Sequence, residues 1–104
     1  MRKIFLILMV LPCFIYGQST YVPDDAFEQI LINYGYDYML DDSVYTASID
    51  TVESLYIPNM GISDLTGIED FAALRELFCF SNQIQYLDLS NNTNLFELNC
   101  RPVS

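Results

Sequence analysis

The residues of this chain that could do chemistry are almost all acids. Fourteen Asp and Glu stand against four Lys and Arg, with no His, for a net charge of −10 over 104 residues. Without an imidazole, His-based triads, His zinc ligands and proton shuttles are excluded. Lys3 is the only lysine, so a Schiff-base or phosphate-loop lysine is missing from everything after it. Gly35, Gly61 and Gly67 stand singly and form no phosphate-cradling loop. An enzyme built here would need two converging carboxylates, as glycosidases do. The acids fall mostly at turn or outward positions, so the expectation is no catalysis and no cofactor.

Asp37, Asp41 and Asp42 form the one acidic cluster that invites a metal. Calcium takes several carboxylate and carbonyl oxygens, so a site is chemically possible. The spacing matches no EF-hand loop, which needs a Gly at its sixth position and a Glu at its twelfth. A solvated loop is the expected reading, with no metal.

The elements that would position side chains are written as a repeat. Leu74, Leu77 and Cys79 recur 21 residues later at Leu95, Leu98 and Cys100. Val52, Leu55, Ile57, Ile62 and Leu65 precede Leu74, Leu77, Cys79, Ile84 and Leu87 by 22 residues. Leu at fixed offsets with this period signals a leucine-rich repeat, one strand-plus-turn coil per unit. A single coil cannot bury its own apolar edge; stacking joins the edges into a continuous core. Alternation in Leu77-Phe78-Cys79-Phe80 sends Leu77 and Cys79 inward and the two Phe outward. Leu87-Asp88-Leu89 gives a second inward pair. Asn82 is placed to satisfy turn backbone groups that no strand ladder reaches.

Cys79 and Cys100 share a column, which puts their Cα atoms about 4.8 Å apart. A disulfide is permitted at that spacing, and an exported chain meets oxidising conditions. Both side chains point the same way into a packed core, which suits stacked free thiols better than a bridge. Two such Cys, without His or further Cys beside them, supply too few ligands for a zinc site.

The repeat Leu74, Leu77, Cys79, Asn82, Ile84, Leu87, Asp88, Leu89, Ser90, Asn92, Leu95 resembles that of secreted leucine-rich repeat proteins of Bacteroidetes, distant relatives of the internalins. Tyr21-Val22-Pro23-Asp24-Asp25-Ala26-Phe27-Glu28 and Asp64-Leu65-Thr66-Gly67-Ile68-Glu69 resemble that family's opening cap and first coil. The resemblance implies an α/β leucine-rich repeat parallel β-solenoid with an N-terminal helical cap, acting in recognition or adhesion at the cell surface. It also implies that full-length relatives carry a C-terminal sorting domain.

On the outward face the columns read Ser54, Glu76, Glu97; then Tyr56, Phe78, Asn99; then Pro58, Phe80, Arg101. Tyr56, Phe78 and Phe80 would make a small exposed aromatic patch, and with Asn99 they are the candidate partner-binding residues. The competing reading is that another segment covers the aromatics. The sequon Asn91-Asn92-Thr93 matters only in a glycosylating host.

Residues 1–17 read as a secretory signal: Arg2 and Lys3, an apolar run from Ile4 to Leu11, and small Gly17. The run is too short to span a bilayer comfortably. Cys13 would suit a lipoprotein, but Pro12 stands where a small residue is expected. Removing the signal leaves Arg75 and Arg101 against fourteen acids, a net charge of −12. That field disfavours nucleic acid and anionic membranes.

Residues 18–51 read as the cap. Phe27, Ile30, Leu31 and Tyr34 follow helical spacing, Asp24 or Asp25 can cap, and Gly35 can stop a helix over about 24–34. Residues 36–51 continue as loop and a first edge strand. The coils are 52–73, 74–94 and an incomplete 95–104, about two and a half in all, with Val103 where the turn Asn belongs. The chain thus reads as the N-terminal piece of a longer secreted or outer-surface bacterial protein. Its partner is expected to be an extracellular protein or glycan, with no stable membrane insertion. The alternative is a capped structural spacer, with ligand-binding or hydrolase domains downstream.

Overall fold

The computed structural model describes residues 18–101. The signal expected over 1–17, with Cys13, and the pattern break at Val103 lie outside the described residues.

The cap is built from local propensity and one strong helix start. Asp24 sits in extended backbone and its Oδ1 accepts the Phe27 N–H at 3.0 Å, satisfying an amide the helix cannot. Helix α1 then runs Asp25–Asn33, with Asp25 and Glu28 in its first turn where the dipole favours acids. Phe27, Ile30 and Leu31 are buried along its inner face. The loop expected after it holds more order than the sequence suggests. Strand β1 (Ser19–Tyr21) pairs antiparallel with β2 (Ser43–Tyr45), Thr20 opposite Val44. The edge strand expected in 36–51 is β2, and it pairs with β1 within the cap. Three-residue strands carry too little alternation to announce their partner. A one-turn helix α2 (Thr46–Ile49) follows and buries Ile49.

The repeats supply three parallel strands, β3 (Ser54–Tyr56), β4 (Glu76–Phe78) and β5 (Glu97–Asn99), in that order. Leu55 lies beside Leu77, and Leu77 beside Leu98. The ladder runs past the strand ends: Ile57 and Asn59 donate to the Phe78 and Phe80 carbonyls at 2.8 and 2.9 Å. Cys79 and Ser81 donate likewise to Asn99 and Arg101, both at 2.8 Å. Asn59 and Ser81, 22 residues apart, both take left-handed backbone (φ 54° and 61°), turning each coil out of the sheet at the same point. Asn82 then performs the expected service fully. Its Nδ2 donates to the Ile57 and Cys79 carbonyls at 2.8 and 3.0 Å, and its Oδ1 accepts from Met60 and Ile62 at 2.8 and 3.1 Å.

Cap and repeats share one core. Val22, Phe27, Leu31, Ile49, Leu55, Ile57, Phe71, Leu74 and Leu77 belong to it, with Phe27 and Phe71 rings stacked 6.2 Å apart. Gly67 is the tight point of that join. Its φ is +110°, and a Cβ there would stand 2.8 Å from the Val22 side chain and 2.9 Å from the Tyr21 carbonyl. Burial fades toward β5: Leu55 is 1 % exposed, Leu77 0 % and Leu98 49 %. Leu87 and Leu89 are half-buried against the core without forming a strand.

Candidate functional site

The strand ladder brings the candidate residues together. Tyr56 and Phe78 are direct neighbours across β3 and β4, with ring centroids 6.0 Å apart and tilted by 55°. The Phe80 ring meets Tyr56 edge-on at 6.1 Å. Offset and edge-to-face contacts are the favoured aromatic geometries, so the three rings form a held platform. Tyr56 is 55 % exposed, while Phe78 and Phe80 are half-buried. The Tyr34 hydroxyl at the end of α1 donates to the Tyr56 carbonyl, tying the platform's edge to the cap. Asn99 continues the column on β5, and its Oδ1 accepts the Arg101 Nε–H at 3.4 Å.

Behind this face Cys79 and Cys100 are joined as a disulfide, with Cα atoms 4.4 Å apart. This corrects the expectation of stacked free thiols. In-register neighbours on parallel strands fall within bridging range, and Cys100 is only half-buried, so it is not locked inward by packing.

In the acidic loop Asp41 and Asp42 are exposed, in keeping with the solvated cluster expected, while Asp37 is half-buried. The loop folds over Glu28, a fully buried carboxylate on α1. Glu28 accepts the Asp41 and Asp42 backbone N–H groups at 3.2 and 2.9 Å. Burial, and then a hydrogen bond with Asp37, push its pKa up to about 7 against the pull of those two N–H groups. Protonated, Glu28 supplies the donor that the buried Asp37 Oδ2 otherwise lacks among the described residues. Oxygens of Glu28, Asp37 and Asp41 lie within 4.8 Å of one another, as do those of Asp25, Glu28 and Asp42, close enough to hold a divalent ion. The backbone N–H groups of Asp41 and Asp42 on Glu28 hold the loop against α1. Sequence reasoning missed Glu28, although it stands between Phe27 and Ile30 on the face of α1 that packs inward.

Parallel strands in 22- and 21-residue register, with left-handed turns at Asn59 after β3 and Ser81 after β4 and the buried Asn82 filling the loop between them, are of the leucine-rich repeat type. The chain is internalin-like: it is similar to Internalin J of Listeria monocytogenes, 38 % identical over 75 residues, 72 % of this chain. Those residues span 8 % of that relative's length. Among solved structures, the functional domain of InlJ from the same organism, described as including a cysteine ladder, matches with a TM-score of 0.63. The identity there is 37 %, covering 76 % of this chain and 18 % of that one. An internalin, inlF, of Listeria monocytogenes shares the fold with a TM-score of 0.63 at 22 % identity, over 77 % of this chain and 24 % of that one. No family model matches the chain. Among the described residues, no helix is long and apolar enough to cross a membrane.

Proposed function

We propose that the chain is a non-catalytic recognition module of a secreted or outer-surface bacterial protein of the Bacteroidetes type, binding an extracellular protein or glycan. In this reading 18–51 cap a parallel β-solenoid of about two and a half coils, and Tyr56, Phe78, Phe80 and Asn99 form the binding face. The observation that carries it is the aromatic platform, three rings at 6.0 and 6.1 Å on the solvent-facing side of the repeat sheet. Rigid, partly exposed aromatics gain contact area on binding at little entropic cost, and they dominate interface energetics. The similarity to internalins supports the same class of function. The test is capture of extracellular proteins and glycans by the chain and by its Phe78→Ala/Phe80→Ala variant. The variant should keep its fold and lose capture; equal capture by both would remove the platform from the account.

A second reading is a capped spacer whose ligand contacts lie elsewhere in a longer protein. The loss of burial along Leu55, Leu77 and Leu98 supports it, because a further coil stacked on β5 would cover Leu98. Capture by neither form would favour this reading.

A further inference from the structure

On the same face as the platform, Glu76 and Glu97 stand directly opposite each other on β4 and β5. Like charges in that relation destabilise a sheet, so a reason for keeping them is called for. Ser54 completes their column and brings no opposite charge. Both cations of the described residues are engaged elsewhere: Arg75 lies over the Phe96 ring, 5.1 Å from its centroid, and Arg101 is turned to Asn99. The two carboxylates are half-buried and exposed, respectively, so both meet solvent. One alternation further along, Phe78 and Tyr56 present their rings beside them.

We infer that this corner receives an arginine side chain from a basic, extended segment of a partner protein. A guanidinium can bridge two carboxylates with its fork of donors and stack its plane on an aromatic face. Its charge relieves the Glu76–Glu97 repulsion, and the ring quadrupoles of Phe78 and Tyr56 add to the attraction. The acidic chain as a whole steers a basic partner toward the face. The inference rests on the face being a recognition surface and names the chemistry of its partner.

The test titrates the isotope-labelled chain with N-acetyl-tetraarginine amide, N-acetyl-tetraglutamate amide and cellohexaose, following backbone amide signals. Tetraarginine should move the amides of Glu76, Phe78 and Glu97, with affinity falling roughly fivefold in Glu76→Gln/Glu97→Gln and again in about 0.5 M salt. Signals away from the face, unchanged in the double variant, show that it folds. Tetraarginine that binds the double variant as tightly, or leaves these amides unmoved, overturns the inference. Movement of the same amides by cellohexaose alone would overturn it while leaving the face a recognition surface. If the Phe78→Ala/Phe80→Ala variant also captures partners unchanged, the underlying reading falls separately.

Discussion

Asp24 reaches Asp64 across 40 residues of sequence: its Oδ2 accepts the Asp64 backbone N–H at 3.0 Å and the Ser63 N–H at 2.9 Å, while Oδ1 caps α1. One carboxylate therefore starts the helix and fastens it to the turn of the first coil. Asp24→Ala should lower unfolding stability by about 2–4 kcal/mol, since it removes the cap and frees two further amides. Asp24→Asn, which keeps an acceptor for the cap, should cost less. Denaturant titration checks both, and an unchanged midpoint for the alanine variant would disconnect cap from coil.

Asn82 and Asn92 are both buried amides under turns, with different duties. Asn82 satisfies four backbone groups, whereas Asn92 Nδ2 donates to two, the Ile68 and Phe71 carbonyls at 2.9 and 3.2 Å. Each buried group left unpaired costs about 1–3 kcal/mol. Asn82→Ala should therefore cost about 3 kcal/mol or more and Asn92→Ala about 2, as measured by chemical unfolding. The reverse order would mean that the loops at 59–62 find other partners.

Glu28 gives the chain a specific pH signature. Its folded pKa, about 7, lies above the ordinary 4.5, so the folded state holds a proton that the unfolded state has released between those values. Stability from this group is then full below about pH 4.5 and declines as pH rises toward 7. Carboxylates with lowered pKa work in the opposite direction; Asp88, held down by hydrogen bonds from Ser90, is one. The isolating measurement is the difference in unfolding free energy between the chain and Glu28→Gln from pH 4 to 8. The wild-type chain should lose stability relative to the variant as pH rises. A constant difference would contradict the buried, protonatable carboxylate.

The Cys79–Cys100 bond is open to intact-mass measurement on the chain produced under oxidising conditions. Reduction should add the mass of two hydrogens. An unchanged mass would restore the stacked-thiol arrangement that the column pattern alone suggests.

The sequence made the repeat legible because identical columns leave the ladder little choice: Leu55, Leu77 and Leu98 had to stand side by side for any coil to bury its edge. The aromatic platform followed from alternation alone. The cap was less legible. Its helix showed in the spacing of Phe27, Ile30 and Leu31, but β1 and β2 are three residues each, and their pairing is fixed by tertiary contacts such as Thr20 Oγ1 donating to Asp70 at 2.8 Å. Glu28 was hidden for a related reason. A charge within an apolar run reads as surface until the loop that buries it is in place. The Cys79–Cys100 bond turned on side-chain rotation, which a one-dimensional pattern does not carry.

Hydrogen–deuterium exchange of the chain alone and with a captured partner tests the central claim most directly. Backbone amides of 76–80 and 97–99 should slow on binding, with those of 90–94, outside the strand column, unchanged. Protection confined to 90–94 or to the cap, with the strand face exchanging as before, would contradict it.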